Sequence, residues 1–135
     1  MKLEEVKVTD EELRVMLESG LVLREAGRID EAEEIFQGVR ELVPASDVPL
    51  VALSSIAVRR GDFEAALRLC EEALKIEPGS LFARVNHAEI LLYQKRTVEA
   101  EAELREIVEN NPDSPHRRTA ESLLEVMRLI PENTV

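Results

Sequence analysis

At 135 residues the chain has room for one domain with a shared core, and its 28 acidic side chains against 17 lysines and arginines give a formal net charge of −11. That balance argues against a nucleic-acid partner, because a surface that tracks phosphates needs a basic excess. No apolar run approaches ~18 residues and no charged, apolar and cleavage-site succession opens the chain, so neither a membrane span nor a signal peptide is expected and the cytoplasm is the expected location.

Met1 to Val8 mix Leu3, Val6 and Val8 with charges; they either pack on the first helical segments or fray. Leu13, Met16, Leu17, Leu21 and Leu23 recur at helical spacing and predict a first helix over residues 10–26, with Thr9 and Glu12 placed to form a capping box. A second helix over 29–43 runs into Pro44, and a third covers 47–60. The fourth, 63–76, starts after the cap candidate Asp62, and Pro78 stops it; Leu67, Leu69, Ala73, Leu74 and Ile76 give its helical spacing. Ser80 caps a fifth helix over 80–94, and a sixth over 97–110 ends before Pro112. The seventh, 115–130, lies between Pro115 and Pro131 and carries one stripe of Ala120, Leu123, Leu124, Met127 and Ile130. Aromatic residues are only 3% of the chain and β-branched runs are short, so the expected fold class is all-α.

These helices are punctuated at a fixed period. Pro44, Pro78 and Pro112 stand 34 residues apart, as do Ala32, Ala66 and Ala100. The windows Leu13–Ser46, Asp47–Ser80 and Leu81–Ser114 superpose without a gap and cover about three-quarters of the chain. In each, a small residue (Gly20, Ser54, Ala88) sits mid-way along the first helix. Gly27 with Ile29 and Gly61 with Phe63 mark the turn, where Lys95 and Thr97 depart from the rule. Phe36, Cys70 and Leu104, then Val39, Ala73 and Ile107, mark the second helix. This pattern resembles the tetratricopeptide repeat (TPR) family. The consensus aromatics of the first helix are replaced by Met16, Leu50 and Arg84 and by Leu23, Ala57 and Leu91. The resemblance implies a right-handed TPR solenoid of three helix-turn-helix repeats, 13–46, 47–80 and 81–114, within a single domain over 1–135. The helix at 115–130 would cap its end, since a solenoid needs a polar outer face there.

Chemistry is sparse. Neither His87 nor His116 has a cysteine or carboxylate at metal-ligand spacing, the five glycines are dispersed rather than forming a phosphate loop, and Cys70 falls at a core position. No enzyme activity, cofactor or metal is expected. Glu31, Glu33, Glu34, Glu41 and then Glu99, Glu101, Glu103, Glu106 and Glu109 read as a solvated acidic outer face, with Glu64–Arg68, Glu71–Lys75 and Glu101–Arg105 as bridging pairs. Arg24 with Arg28, Arg59 with Arg60, and Lys95 with Arg96 would align as a basic stripe. They are either cations answering helix C-terminal dipoles or an anion-binding edge.

In TPR arrays the concave surface is lined by one face of each first helix. Carried over, those positions are Arg14, Leu17, Leu21, Arg24 and Glu25; Val48, Val51, Ser55, Val58 and Arg59; and Phe82, Val85, Glu89, Leu92 and Tyr93. Nine of the fifteen are apolar, an unusual share for a solvent-facing side. The candidate peptide-binding groove is therefore Leu17, Leu21, Arg24, Val48, Val51, Val58, Arg59, Phe82, Val85, Leu92 and Tyr93. Its expected partner is a protein or peptide with an apolar amphipathic segment. Residues that pack between helices, or a seventh helix or N-terminal segment folding back into the groove, would leave it less open. Arrays that clamp a C-terminal carboxylate line the groove with Lys, Arg and Asn, whereas here Asn86 is the one nearby amide. Leu53-Ser54-Ser55, Arg60-Gly61-Asp62-Phe63 and Ala66-Leu67 are similar to a stretch of type III secretion needle-subunit chaperones. That likeness implies a cytosolic chaperone that covers an apolar helix of a self-polymerising secreted subunit. The alternatives are a scaffold forming a homo-oligomer through its groove or end helix, a general TPR adaptor, or a consensus-type repeat without a client.

Overall fold

The computed structural model describes residues 7–129, and within them the chain forms seven helices: α1 (Asp10–Glu25), α2 (Ile29–Leu42), α3 (Val48–Arg59), α4 (Phe63–Ile76), α5 (Leu81–Tyr93), α6 (Thr97–Asn110) and α7 (Pro115–Arg128). Leu3, Val6, Ile130 and Pro131 lie outside the described residues.

Local chemistry starts the helices. The Thr9 hydroxyl accepts from the Glu12 amide at 3.1 Å while the Glu12 carboxylate accepts from the Thr9 amide, completing the capping box. Asp62 and Ser80 cap α4 and α5 by accepting from the Ala65 and Ala83 amides. Ser114 caps α7, with Pro115 in its first turn.

Helices pair as hairpins, α1 with α2, α3 with α4 and α5 with α6, and each pair stacks on the next. The first helices α1, α3 and α5 form an inner layer that α7 extends by packing on both α5 and α6. The residues 34 apart share one fate: Ala32, Ala66 and Ala100, like Phe36, Cys70 and Leu104, are completely buried. The core lies in three successive patches. One joins Ala32 and Phe36 to Leu53 and Ile56, the next joins Leu50 and Val51 to Cys70 and Ile90, and the last joins Val85, Leu104 and Ile107 to Ala120. Leu123, Leu124 and Met127 of α7 pack on that last patch, covering what a fourth repeat would otherwise cover. At the opposite end α1 buries only Gly20 and leaves Val15 and Val22 exposed.

The irregular third turn keeps the geometry of the others. Gly27 and Gly61 have φ of 81° and 76°, and Lys95 adopts 62°. In that left-handed region a Cβ crowds the carbonyl oxygen, so the lysine is strained where glycine is not. Lys95→Gly is therefore expected to stabilise the protein by about 0.5–1 kcal/mol, the relief of strain exceeding the extra unfolded-chain entropy. A urea midpoint unchanged or lowered in the variant would contradict this.

Candidate functional site

The inner layer encloses an open groove of about 660 Å³. Its lining comes from α1 (Arg24, Glu25), α3 (Val51, Ser55, Val58, Arg59), α5 (Phe82, Val85, Asn86, Glu89, Tyr93) and α7 (His116, Thr119).

The placement differs from the sequence-based expectation in instructive ways. Arg24, Val51, Val58, Arg59, Phe82, Val85 and Tyr93 line this pocket, and Leu17, Leu21, Val48 and Leu92 lie outside it, Leu21 at 37% exposure. Leu17 packs against the patch around Phe36, and Leu92 against that around Val85 and Leu104. Both are partly covered by that packing and keep some exposed surface. Val51 and Val85 form the floor, only 1% and 5% exposed. Replacing both by aspartate would place charges in the core rather than only block the groove. Phe82 and Tyr93, at 37% and 54% exposure, are the accessible aromatics of the rim. Tyr93 stacks on Phe63 with ring centroids 5.2 Å apart, and Phe82 on His116 at 5.9 Å.

His116 and Thr119 stand outside the expected set because α7 belongs to no complete repeat. The signal was present, since they stand 34 residues after Phe82 and Val85 and so continue the groove register onto the last helix. Their addition, and the loss of the leucines, leaves a groove with an apolar floor and largely polar walls.

The cations do not form a free basic stripe. Arg24 donates to the Ser55 hydroxyl at 2.7 Å and to Glu25, and Arg59 donates to the same Glu25 at 2.8 Å. These two guanidinium groups, Arg24 foremost, hold the Glu25 carboxyl below its ordinary value. Outside the groove Arg28 pairs with Glu31, Arg60 with Asp30 and Glu33, and Arg96 with Glu99. Such exposed, solvent-screened pairs add little to stability, but they neutralise the edge. Glu101–Arg105 forms as expected at 2.7 Å.

Beneath the groove lies a polar anchor. The buried Ser54 hydroxyl donates its one proton to the Ala66 carbonyl at 2.7 Å. The Asn86 atom 2.8 Å away must then be the donor Nδ2, which fixes the amide's orientation. Cys70 is fully buried, donates to the Ala83 carbonyl, and burial pushes its thiol up to about 11, so it is no nucleophile. Among the described residues no group of three or more His, Cys, Asp or Glu could hold a metal ion.

On the outer side His87 Nδ1 lies 2.7 Å from Glu103, both side chains about four-fifths buried at 22% and 17% exposure. Glu103 thus belongs to an interhelical pair rather than to a solvated face. The hydrogen bond to Glu103 outweighs desolvation and raises the His87 imidazole above its ordinary value. The pair therefore stabilises the fold fully below the unfolded value of about 6.5 and loses that contribution as pH rises through the folded value. Wild type is expected to melt above His87→Gln at about pH 6, with the difference shrinking by about pH 8.5. A gap that widens with pH would overturn the assignment.

A stack of helix hairpins with a groove along its inner layer defines a helical repeat module. Tetratricopeptide repeat models match residues 57–124 and residues 14–46, the first alone spanning half of the chain. The chain belongs to the tetratricopeptide repeat family. Anaphase-promoting complex subunit 3 of Schizosaccharomyces pombe is 30% identical over 94 residues, which are 70% of this chain and 14% of that protein. This chain thus spans a small part of that curated relative. The type III secretion translocator chaperone SycD of Yersinia enterocolitica superposes with a TM-score of 0.75 at 16% identity, covering 90% of this chain and 92% of that one. SycD in complex with a peptide of the translocator YopD gives a TM-score of 0.68 at 20% identity, covering 92% and 98%. At these identities the likeness is one of fold.

Proposed function

We propose that the protein holds an amphipathic segment of another polypeptide in the groove of α1, α3, α5 and α7. It would act as a cytoplasmic chaperone of a secreted type III secretion subunit, with no catalytic role. The groove carries this reading: about 660 Å³ of open space whose accessible apolar surface is the aromatic rim of Phe82 and Tyr93, above a closely packed floor of Val51 and Val85. Apolar surface held open in this way on a small protein suits a peptide's apolar face. Support comes also from SycD, which has this fold and is seen with a peptide of a translocator. A client that polymerises through an apolar helix stays soluble only while that helix is covered, and a net charge of −11 keeps the complex dispersed. In this reading residues 1–135 are one domain, with repeats over 13–46, 47–80 and 81–114 and a capping helix over 115–130. No described helix is long and apolar enough to cross a membrane.

The test is affinity capture from the source organism with wild type and with Phe82→Asp, Tyr93→Asp, a variant that alters exposed side chains and is expected to stay helical with a cooperative melt. Capture of a small secreted subunit by wild type and its loss in the variant is the expected result. Equal capture by both would refute the groove assignment.

A second reading is a scaffold that self-associates through its end helix, favoured by the exposure of Val126 and Leu129 on α7. Light scattering separates the two readings, since the scaffold forms a defined oligomer without a client.

A further inference from the structure

The groove holds two carboxylates in contrasting states. Glu25 is clasped by Arg24 and Arg59. Glu89 lines the same groove, is partly buried, and receives no hydrogen bond or ion pair among the described residues. Arg24 acts on Glu89 only at a distance, and desolvation prevails, so the Glu89 carboxyl stands above its ordinary value. A carboxylate half withdrawn from water without a donor is costly, and a donor supplied by a ligand recovers the lost hydration. The neighbouring amide adds to the same bias. Asn86, one turn before Glu89, commits Nδ2 to Ser54 and keeps Oδ1 as its open acceptor. The groove's guanidinium groups are already engaged, which disfavours an acidic ligand.

Resting on the groove reading above, we propose that Glu89 is a specificity residue. It would receive a lysine or arginine of the bound segment, so that the ligand class is an apolar peptide carrying a basic side chain beside the residues that meet the Phe82 and Tyr93 rim. A cation there completes the pairing of the groove, and it matches the acidic balance of the whole chain.

A phage-displayed random peptide library selected on the purified protein tests this, followed by synthetic versions of a selected peptide that differ only in Lys against Gln at the basic position. The expected result is enrichment of Lys or Arg within an apolar motif. The Lys peptide should bind wild type about ten-fold or more tighter than its Gln partner, the scale of a hydrogen-bonded charge. Glu89→Gln should erase that preference while keeping the apolar motif. Peptides that need Phe82 and Tyr93 but show no basic enrichment, or whose Lys preference survives Glu89→Gln, overturn the subsite and leave the groove reading standing. If no selected peptide loses binding in Phe82→Asp, Tyr93→Asp, the groove reading falls and the subsite with it.

Discussion

Val51→Asp with Val85→Asp is expected to abolish folding: far-UV circular dichroism should show little helix and no cooperative melt at room temperature. Both valines sit on the groove floor at 1% and 5% exposure, within the second and third core patches. Burying an unpaired carboxylate costs several kcal/mol after relaxation, and each substitution also forfeits about 1.5–3 kcal/mol of apolar burial. Two such losses are comparable with the whole of the ~5–15 kcal/mol that holds a typical domain together. Phe82→Asp makes the same chemical change at a side chain 37% exposed, where the charge keeps its water, so it should cost only the partial burial and the His116 stack, about 1–2 kcal/mol, and leave the protein folded. A double valine variant that melts like wild type would show that these side chains face solvent. The contrast matters for function, because lost binding in a valine variant reports unfolding, whereas lost binding in the Phe82 and Tyr93 variant reports the groove.

The legible part of this protein is the part that repeats. Ala66 and Cys70 can be assigned to the core from sequence because Ala32 with Phe36 and Ala100 with Leu104 stand 34 residues to either side, and all six are fully buried. The turn at Lys95 follows by the same logic: backbone geometry is set by the stack, so the chain tolerates a strained side chain before it abandons the turn. The groove was harder to read. Residues at one repeat position, Leu17, Val51 and Val85, differ in fate because each first helix has different neighbours: α1 is terminal, while α3 and α5 are flanked on both sides. Periodicity identifies equivalent backbone sites but not how deeply each is covered. The ion pairs show the same division. Arg59 meets Glu25 across one 34-residue period, a contact the repeat makes visible, while His87 with Glu103 joins α5 to α6 across 16 residues and follows only from the packed structure.

The second large effect should come from the smallest side chain. A Cβ built on Gly20 would lie 2.7 Å from Phe36 Cζ and 3.0 Å from Cδ1, well inside normal contact, and Phe36 is completely buried and cannot swing away. Gly20 is where α1 meets Phe36 of α2; the equivalent Ser54 and Ala88 carry a Cβ and are fully buried, and the residues that stand 34 and 68 positions after Phe36, Cys70 and Leu104, are smaller. Gly20→Ala gains about 0.5–1 kcal/mol of helix propensity and loses about 1–3 kcal/mol to overpacking, so packing prevails and the variant is less stable. Gly38 of α2, with nothing within 4 Å of its Cβ position, provides the opposite sign: Gly38→Ala keeps the propensity gain and is more stable. Phe36→Leu alone costs stability by removing buried ring atoms, yet combined with Gly20→Ala its cost should be less than additive, because the shortened side chain makes room for the methyl. Urea melts of the two single variants and the double variant measure that coupling. A Gly20→Ala protein stabilised as much as Gly38→Ala, or strict additivity with Phe36→Leu, would mean that α1 stands off from α2 and that the first repeat is not closed by this contact.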